Sequence, residues 1–424
     1  MWNALKQIWY SHDLRKNILY VLAMIVVFRL AAHIPLPGVD LAALRNIIGG
    51  NQFFGLLNVF SGGTIENFSI VALGVAPYIT ASIIFQLLGM TIPKLEALMK
   101  EGEAGQRIIN QYTRLLAVPL AALQGYGLIA LLSRSGGATP FAFTTFTLAT
   151  TITALAAGTI FLMWIGELIS ERKVGNGISI LIFAGIVAGL PQFVRQVAAT
   201  FDTAQAVNLV IFVAIAIVTV IGVVLISEGQ RNIPVSYARR MVGARNVGAV
   251  QSYLPLRVNM AGVIPIIFAI SIMLFPPVVG QFFVGAQTPW VADAAQWLVS
   301  VFNNQLVYGI LYFVLVFGFT YFYTAVIFQP DQIAENMQKQ GGFVPGIRPG
   351  KPTSDYLGIV MTRVNFGGAL FLGLIAVLPL LVQQVTGTST LVIGGTSLLI
   401  VVNVVTDSIK QVESQLIMRD YEVY

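Results

Sequence analysis

One short stretch of the chain combines permanent cations with residues that constrain the backbone. The segment GGFVPGIRPGKPT, Gly341–Thr353, carries Arg348 and Lys351 among three prolines and four glycines. Because proline fixes φ and glycine permits tight turns, such a loop can hold Arg348 at a defined place and height. The planar guanidinium suits bidentate contacts with carboxylate or phosphate oxygens. The chemistry indicated is binding to a large acidic surface.

A second group of cations, Arg239, Arg240 and Arg245, follows the stretch NIPVSY. Nucleic-acid phosphates, acidic lipid headgroups and protein carboxylates would all attract these side chains. Basic residues in a loop beside a membrane also arise from topology alone. These alternatives stay open, but the glycines, prolines and β-branched or aromatic residues of 227–258 and 329–363 indicate two ordered, hairpin-like loops.

Side chains that perform covalent, metal or redox chemistry are scarce. The chain has no cysteine, and its only histidines are His12 and His33. Neither the spacing of metal ligands nor that of a hydrolase site is present. The glycine-rich stretches GNGIS and GGTSLL lack the lysine and the spacing of a phosphate-binding loop. The sequence therefore predicts that the chain is not an enzyme and holds no cofactor.

The elements that must position these loops are predicted membrane spans. Hydrophobic residues make up 56% of the 424 residues and charged residues only 10%, and the mean hydropathy is +0.81. A span needs about 20 apolar residues. Ten stretches qualify: 17–35, 74–92, 113–133, 146–166, 178–194, 208–226, 259–281, 306–328, 364–382 and 391–409.

Basic residues predict how these spans are oriented. Alternate connecting segments carry nearly all of the lysines and arginines, whereas the opposite segments carry only Arg45, Arg134 and Arg195. The positive-inside rule then places both termini in the cytoplasm. No small-residue cleavage site follows the first span, so we expect that span to be permanent.

An ion-coupled secondary transporter is the main alternative for a chain of this kind. Such proteins need ionisable groups at membrane depth. The predicted spans offer Arg29, Arg114 near a helix start and Asp407 near a helix end, with no carboxylate at mid-membrane. Ion coupling is therefore disfavoured.

The segment SGGTIENFSIVALG, residues 61–74, is apolar but too short to span a bilayer. It is either re-entrant or rests on the outer surface as an interfacial loop. Non-helical backbone survives at membrane depth only where it is buried in protein or lines an aqueous cavity. A re-entrant position would therefore indicate such a cavity.

Two predicted spans carry mixed stripes of isoleucine and polar residues. Ile79, Ile83 and Gln86 share one helical face, and span ten repeats the pattern with Thr396, Ser397, Ile400, Asn403 and Asp407. Isoleucine within a polar stripe can form an apolar constriction that gates by dewetting. Ordinary contact with lipid or core is the simpler explanation for any single isoleucine.

Long segments of the chain, in the same order, resemble the SecY/Sec61-alpha family of channel-forming subunits of the Sec protein translocase. They are PLPGVD, FSGGTIENFSIVALGVAPYITASIIFQLL, KEGEAGQRIINQYTR, GNGISILIFAGIVAGLP, NIPVSYARR, NMAGVIPIIFA, GGFVPGIRPGKPT and GGTSLLIVVNVV. The resemblance implies an all-α integral membrane protein with ten transmembrane helices in two pseudo-symmetric five-helix halves, 1–194 and 208–424. A short re-entrant plug helix is expected at about 61–74.

The resemblance also implies a function and partners. The expected function is a channel in the bacterial cytoplasmic (inner) membrane that moves unfolded preproteins across and releases hydrophobic segments sideways into lipid. Signal sequences would open it. The motor ATPase SecA or a translating ribosome would dock on the cytoplasmic loops, and SecE and SecG would be its membrane partners.

Site residues follow from the same resemblance, residue by residue. The pore ring would comprise Ile79, Ile83, Ile178, Ile182, Ile267 and Ile400, with Ile186 entering if the register of span five differs by one turn. The plug would include Gly62, Thr64, Ile65, Asn67 and Phe68. The lateral gate would carry Thr80, Gln124 and Asn259, polar residues that could equally be ordinary interhelical contacts. Docking would use Arg348, Lys351, Arg239, Arg240, Arg245 and Tyr421.

Overall fold

The computed structural model of the chain describes residues 11–50, 61–135, 144–199, 206–237, 251–284, 287–386 and 394–422. Helices of the first half are α1 (His12–Ala32), α2 (Leu41–Gly50), α3 (Ala76–Thr91), α4 (Pro93–Lys100), α5 (Glu103–Ser135), α6 (Thr145–Glu171) and α7 (Gly177–Ala199). Those of the second half are α8 (Ala206–Glu228), α9 (Ile264–Phe283), α10 (Pro289–Asn303), α11 (Gln305–Ile327), α12 (Pro330–Lys339), α13 (Lys351–Thr386) and α14 (Gly394–Glu422). Three strands accompany them: β1 (Gln230–Tyr237), β2 (Gln251–Arg257) and β3 (Gly342–Phe343).

Each of the ten predicted spans falls on one of these helices. Within the described ranges, five helices are long and apolar enough to cross a membrane, namely α5, α6, α8, α11 and α13. The bent pair α3 and α4 adds a sixth if it counts as one span. The chain is thus a multi-pass, mostly helical membrane protein, and the full number of ten spans stays a prediction.

A sharp bend separates α3 from α4 at Ile92. This residue is extended, with φ −103° and ψ 111°, and it directly precedes Pro93. Because the proline ring disfavours helical backbone at the residue before it, α3 cannot continue. The two helices meet at 109°. Proline thus ends the helix at the boundary predicted for the second span.

The largest group of buried apolar side chains, here called the central cluster, joins helices from both halves. It includes Ile165 of α6, Ile182 of α7, Ile266 of α9 and Ile400 of α14. Apolar side chains from several helices pack together at this place. The core of the molecule therefore lies where the two halves meet.

Two hydrogen bonds between side chains connect helices within the second half. The Thr324 hydroxyl of α11 donates to Asn365 Oδ1 of α13 at 3.0 Å, and both residues are buried. The Ser227 hydroxyl of α8 donates to Asn403 Oδ1 of α14. Polar contacts of this kind stabilise helix pairs in lipid by about 0.6–2 kcal/mol each.

The two long loops form a single small sheet, in the strand order β2-β1-β3. Strand β1 pairs antiparallel with β2, from Gln230 opposite Arg257 to Ser236 opposite Gln251, which confirms the predicted hairpin. The second loop adds β3 to the free edge of β1, where Ser236 lies opposite Phe343. The sequence predicted two ordered loops, and backbone pairing joins them in one sheet.

The loop that carries Arg348 is fixed by its own hydrogen bonds. Gly346 and Gly350 adopt φ of 84° and 92°, the left-handed region that glycine tolerates. The buried Thr353 hydroxyl donates to the Arg348 carbonyl at 2.9 Å. The Arg348 side chain remains exposed. A constrained backbone with a free cationic side chain is what the prolines and glycines of this loop predicted.

Asp331, at the start of α12, contacts the C-terminal end of this loop. Its Oδ1 accepts from the Ser354 hydroxyl at 2.6 Å and lies 3.4 Å from Lys351 Nζ. The hydrogen bond from Ser354, followed by the charge of Lys351, lowers the pKa of the Asp331 carboxyl below its usual range. A lowered pKa means that the contact is complete at neutral pH and is lost only as the pH falls through that lowered value.

We expect Asp331→Ala to loosen residues 344–354, because Ser354 and Lys351 lose their shared acceptor. Hydrogen exchange of these amides should accelerate at pH 7. The matched control is Glu335→Ala on the same helix, since Glu335 pairs only at the surface with Lys339, at 2.8 Å. Equal exchange in both variants would show that Asp331 does not order the loop.

Candidate functional site

Residues 61–74, the plug segment, form a succession of turns where a short helix was predicted. Gly62, Gly63 and Gly74 adopt φ of 78°, 76° and 58°, which interrupts helical backbone. The buried Thr64 hydroxyl donates to the Ser61 carbonyl at 2.8 Å, and Ser69 N donates to the Thr64 carbonyl at 3.1 Å. Left-handed glycines and side-chain hydrogen bonds thus replace the helical pattern.

The plug segment is buried among the helices of the first half. Ile65 and Phe68 are 1% and 0% exposed. They belong to a second group of buried side chains, the plug cluster, which comprises Leu36, Leu44, Ile65, Phe68, Ala72, Leu73, Ala121, Leu128, Ile129, Leu132, Leu155 and Ala156. This burial favours the re-entrant position over the interfacial loop, because an outer-surface loop would leave these side chains exposed.

Two glycines of neighbouring helices admit the plug segment at backbone distance. A Cβ atom added to Gly185 of α7 would lie 2.5 Å from Gly62 Cα, and one added to Gly158 of α6 would lie 1.9 Å from the Ile70 carbonyl oxygen. Distances under 3 Å are incompatible with a side chain there. The start and the middle of the plug segment therefore pack directly against the backbones of α7 and α6, where only glycine leaves enough room.

Arginines of α1 and α2 also contact this segment. Arg29 Nη1 donates to the Gly62 carbonyl at 2.9 Å. Arg45 Nη2 donates to Asn67 Oδ1 at 3.3 Å, and its Nε lies 3.7 Å from Glu66 Oε1. The Arg45 side chain is half exposed, so its contacts are the more easily screened by salt. Each polar contact named here comes from a helix of the first half.

The six isoleucines predicted for the pore ring are all buried or half-buried. Ile182 and Ile400 belong to the central cluster, and Ile79, Ile178 and Ile267 pack against it. Ile83 lies one turn beyond Ile79 and is 4% exposed. The register alternative, Ile186, is also in the central cluster. Five of the six thus belong to, or pack against, one extensive buried group with members on many helices, and both their arrangement as a ring and their sealing role stay predictions.

The plug segment and the isoleucines meet on α7. Ile182, Gly185 and Ile186 are spaced i, i+3 and i+4, so they share a helical face. Gly185 is the residue on which Gly62 rests, and Val71 of the plug segment belongs to the central cluster. The turn-rich segment therefore lies directly beside the group of isoleucines.

The predicted gate residues are only partly brought together. Gln124 Nε2 of α5 donates to the Thr80 hydroxyl of α3 at 3.3 Å. Asn259 Nδ2 donates instead to the Gly262 carbonyl at 3.3 Å. Within the described part of the chain, Asn259 Oδ1 and Gln86 Oε1 are buried without a hydrogen-bond partner. Helix α9, which follows Asn259, packs against both α3 and α5.

The docking residues fall into three groups. Arg348 and Lys351 are exposed on the ordered second loop. Arg239, Arg240 and Arg245 lie outside the described residues, and Tyr421 lies in the last turn of α14. Arg231 and Arg257, at the described ends of the strand pair, show that the first loop carries cations into the shared sheet.

Sequence reasoning missed Gly158, Gly185 and the role of Arg29 as a donor to the plug segment. A signal for Gly185 was present, since it stands three residues after Ile182 on a predicted helix. Arg29 was considered only as a group for ion coupling. Its acceptor is a backbone carbonyl 33 residues away, which no side-chain pattern reveals.

A multi-pass membrane protein with a non-helical segment packed inside it has the arrangement expected of a channel closed by an internal plug. The sequence model of the family described as SecY matches residues 69–409. The protein translocase subunit SecY of Streptomyces galbus is 44% identical, over 100% of this chain and 99% of the relative. That of Mycobacterium tuberculosis is 42% identical, over 97% and 96%. The chain belongs to the SecY family.

Solved structures show the same fold at lower identity. The structure of a protein conducting channel matches with a TM-score of 0.63 at 18% identity, covering 93% of this chain and 91% of that chain. Sec61 in the canine ribosome-channel complex from the endoplasmic reticulum matches with a TM-score of 0.61 at 18% identity, with the same coverage.

We expect Gly185→Ala to unseat the plug segment. The added methyl group would overlap Gly62 Cα, and overpacking of this kind costs about 1–3 kcal/mol. The expected result is a higher resting ion conductance of the purified channel in vesicles.

Gly189→Ala is the matched control for this experiment. Gly189 lies one turn further along the same helix, and an added Cβ there would meet nothing within 4 Å. Its conductance should equal that of the unchanged protein. Identical conductance in both variants would show that the contact between Gly62 and Gly185 does not keep the plug segment in place.

Proposed function

We propose that the chain is a protein-conducting channel, which moves unfolded preproteins across the membrane and releases hydrophobic segments sideways into the bilayer. The observation that carries this proposal is the plug segment, buried among membrane helices and seated beside isoleucines from both halves. Backbone that is not helical is tolerated at this depth only within protein or beside an aqueous passage. An aqueous passage closed by this segment would place it both within protein and beside water.

The pore ring consists of Ile79, Ile83, Ile178, Ile182, Ile267 and Ile400. Branched apolar side chains have no hydrogen-bond preference, so they can close around a polypeptide of any sequence. In the absence of a polypeptide, a narrow apolar constriction dewets and excludes ions. This combination suits a channel whose cargo varies and whose membrane must stay sealed.

The two halves of the channel are 1–194 and 208–424, and the plug segment belongs to the first. Its contacts with Arg29, Gly158 and Gly185 are all with first-half helices. The central cluster, by contrast, joins both halves. Separation of the halves would therefore open the isoleucine ring. The plug segment would either move with the first half or be displaced from its site in that half.

The lateral gate lies where α9 meets α3 and α5. Thr80 and Gln124 form one hydrogen bond on the first-half side. Asn259 stands at the second-half side, and its buried side-chain oxygen has no partner among the described residues. A gate that leaves a polar atom unsatisfied when closed is only weakly stabilised. A hydrophobic signal sequence could therefore shift it towards the open state.

Energy for transport comes from a docked partner, since the channel itself supplies none. SecA or a translating ribosome docks on the shared sheet of the two loops, through Arg348, Lys351, Arg239, Arg240 and Arg245, with Tyr421 contributing from the end of α14. Support comes from the exposed, constrained Arg348 and from a solved neighbour described in a ribosome-channel complex. SecE and SecG complete the assembly in the bacterial cytoplasmic membrane, with both termini and both loops in the cytoplasm.

The seal can be tested at two isoleucines. Ile83→Asn and Ile400→Asn should admit water to the constriction and raise resting ion conductance in purified vesicles. They should also allow weaker signal sequences to open the channel, because the closed state loses stability. Ile400→Leu is the control, since it keeps an apolar side chain of equal volume. Unchanged conductance in both asparagine variants would remove the pore assignment.

Docking can be tested at Arg348. Arg348→Lys keeps the charge but loses the two-pronged donor, so export should fall by the worth of a charged hydrogen bond, about 1.5–3 kcal/mol or roughly tenfold and more. Arg348→Glu should be lower still, because it adds repulsion from an acidic partner surface. The measurement is motor-driven export of a preprotein into vesicles with equal amounts of each channel, whose orientation is checked by protease.

Lys339→Glu is the matched control for charge reversal on the same loop. Lys339 is exposed, lies in the last turn of α12 and is paired at the surface with Glu335 of the same helix. Export by this variant should stay close to normal. Normal export by the Arg348→Lys variant would refute the bidentate role. Normal export by both Arg348 variants would show that Arg348 serves only to orient the protein in the membrane.

A further inference from the structure

Arg29 is half-buried in the last turn of α1, where an arginine has two ordinary uses. Its charge is favourable near a helix C-terminus, and a long side chain can reach towards the membrane interface. In the structure, the main contact of Arg29 is of neither kind. The guanidinium is directed to the Gly62 carbonyl, at 2.9 Å from Nη1 to the oxygen. Among the described residues it has no ion pair with a carboxylate.

Three contacts converge on Gly62, the second residue of the plug segment. Arg29 holds its carbonyl, Gly185 of α7 lies against its Cα, and the Phe28 ring would lie 3.5 Å from a Cβ added to it. Gly62 adopts φ of 78°, in the left-handed region that glycine tolerates. The first turn of the plug segment is therefore clamped between α1 and α7, with one polar contact in the clamp.

We propose that Arg29 is the latch of the plug, a positioning residue whose hydrogen bond to the Gly62 carbonyl holds the plug in the resting channel and breaks when the plug leaves. This inference rests on the proposed function. A charged donor in a partly dehydrated site makes a stronger hydrogen bond than a neutral one. Because arginine stays protonated at all physiological pH values, the latch does not depend on pH.

The latch is strong but also reversible. When the plug leaves, the channel admits water, and water can solvate the freed guanidinium and carbonyl. Opening then costs one charged hydrogen bond and does not leave a buried charge without a partner. The contacts of Arg45 with Glu66 and Asn67 lie at a half-exposed side chain and are longer, at 3.7 and 3.3 Å, so they contribute less.

Resting ion conductance of the purified channel complex in lipid vesicles tests this latch. Arg29→Gln removes the charge and the guanidinium, and the open fraction should rise roughly tenfold, the value of one charged hydrogen bond. Arg29→Lys retains a charged donor and should restore most of the seal. The same substitutions are then made in a channel that lacks residues 62–68, where neither should change the conductance further.

These outcomes separate the latch from the proposed function. Deletion of residues 62–68 must by itself raise the conductance, and a silent deletion would overturn both the plug function and the latch. A leaking deletion with a sealed Arg29→Gln channel would overturn the latch alone. An Arg29→Gln effect of equal size in the deleted channel would show that Arg29 acts elsewhere, which also overturns the latch.

A second measurement does not depend on conductance. The chain has no cysteine, so Ile65→Cys, at a position that is 1% exposed, introduces a unique thiol within the plug segment. Arg29→Gln should speed its reaction with a water-soluble thiol reagent by roughly tenfold, and Arg29→Lys should speed it much less. Equal labelling rates with arginine, lysine and glutamine at position 29 would refute the latch.

Discussion

The whole arrangement depends on one constraint, that backbone without helical hydrogen bonds cannot face lipid. Residues 61–74 break the helical pattern, and every polar group of their turns needs a partner within the protein. Thr64 and Ser69 supply internal hydrogen bonds, and strand-like pairing joins Ser69 to Pro35 at the end of α1. The surrounding helices enclose the segment, and the buried side chains at this contact form the plug cluster.

Much of this architecture was predictable, because its signals are local. Hydropathy located all ten helices that match predicted spans, and the prolines and glycines around Arg348 predicted a constrained loop. The turn structure of the plug segment, the joint sheet and the seat at Gly185 were not predictable. Each depends on backbone atoms from distant parts of the chain, and no side-chain periodicity records where two backbones will meet.

The joint sheet changes how the two loops should be regarded. Strand β1 follows α8 directly, β2 leads into α9, and β3 precedes α13. The loop that carries Arg348 is therefore connected through β3, β1 and β2 to α8, α9 and α13. Apolar side chains of the sheet and of α13, among them Ile233, Leu256 and Leu357, pack together in one buried cluster.

Part of the seat of the plug segment is made of backbone, at the Gly62 carbonyl and Cα and at the Ile70 carbonyl beside Gly158. Backbone atoms are the same in every residue. Because these contacts use backbone atoms, a substitution within the segment that keeps its turns should leave the contacts with Arg29, Gly158 and Gly185 intact.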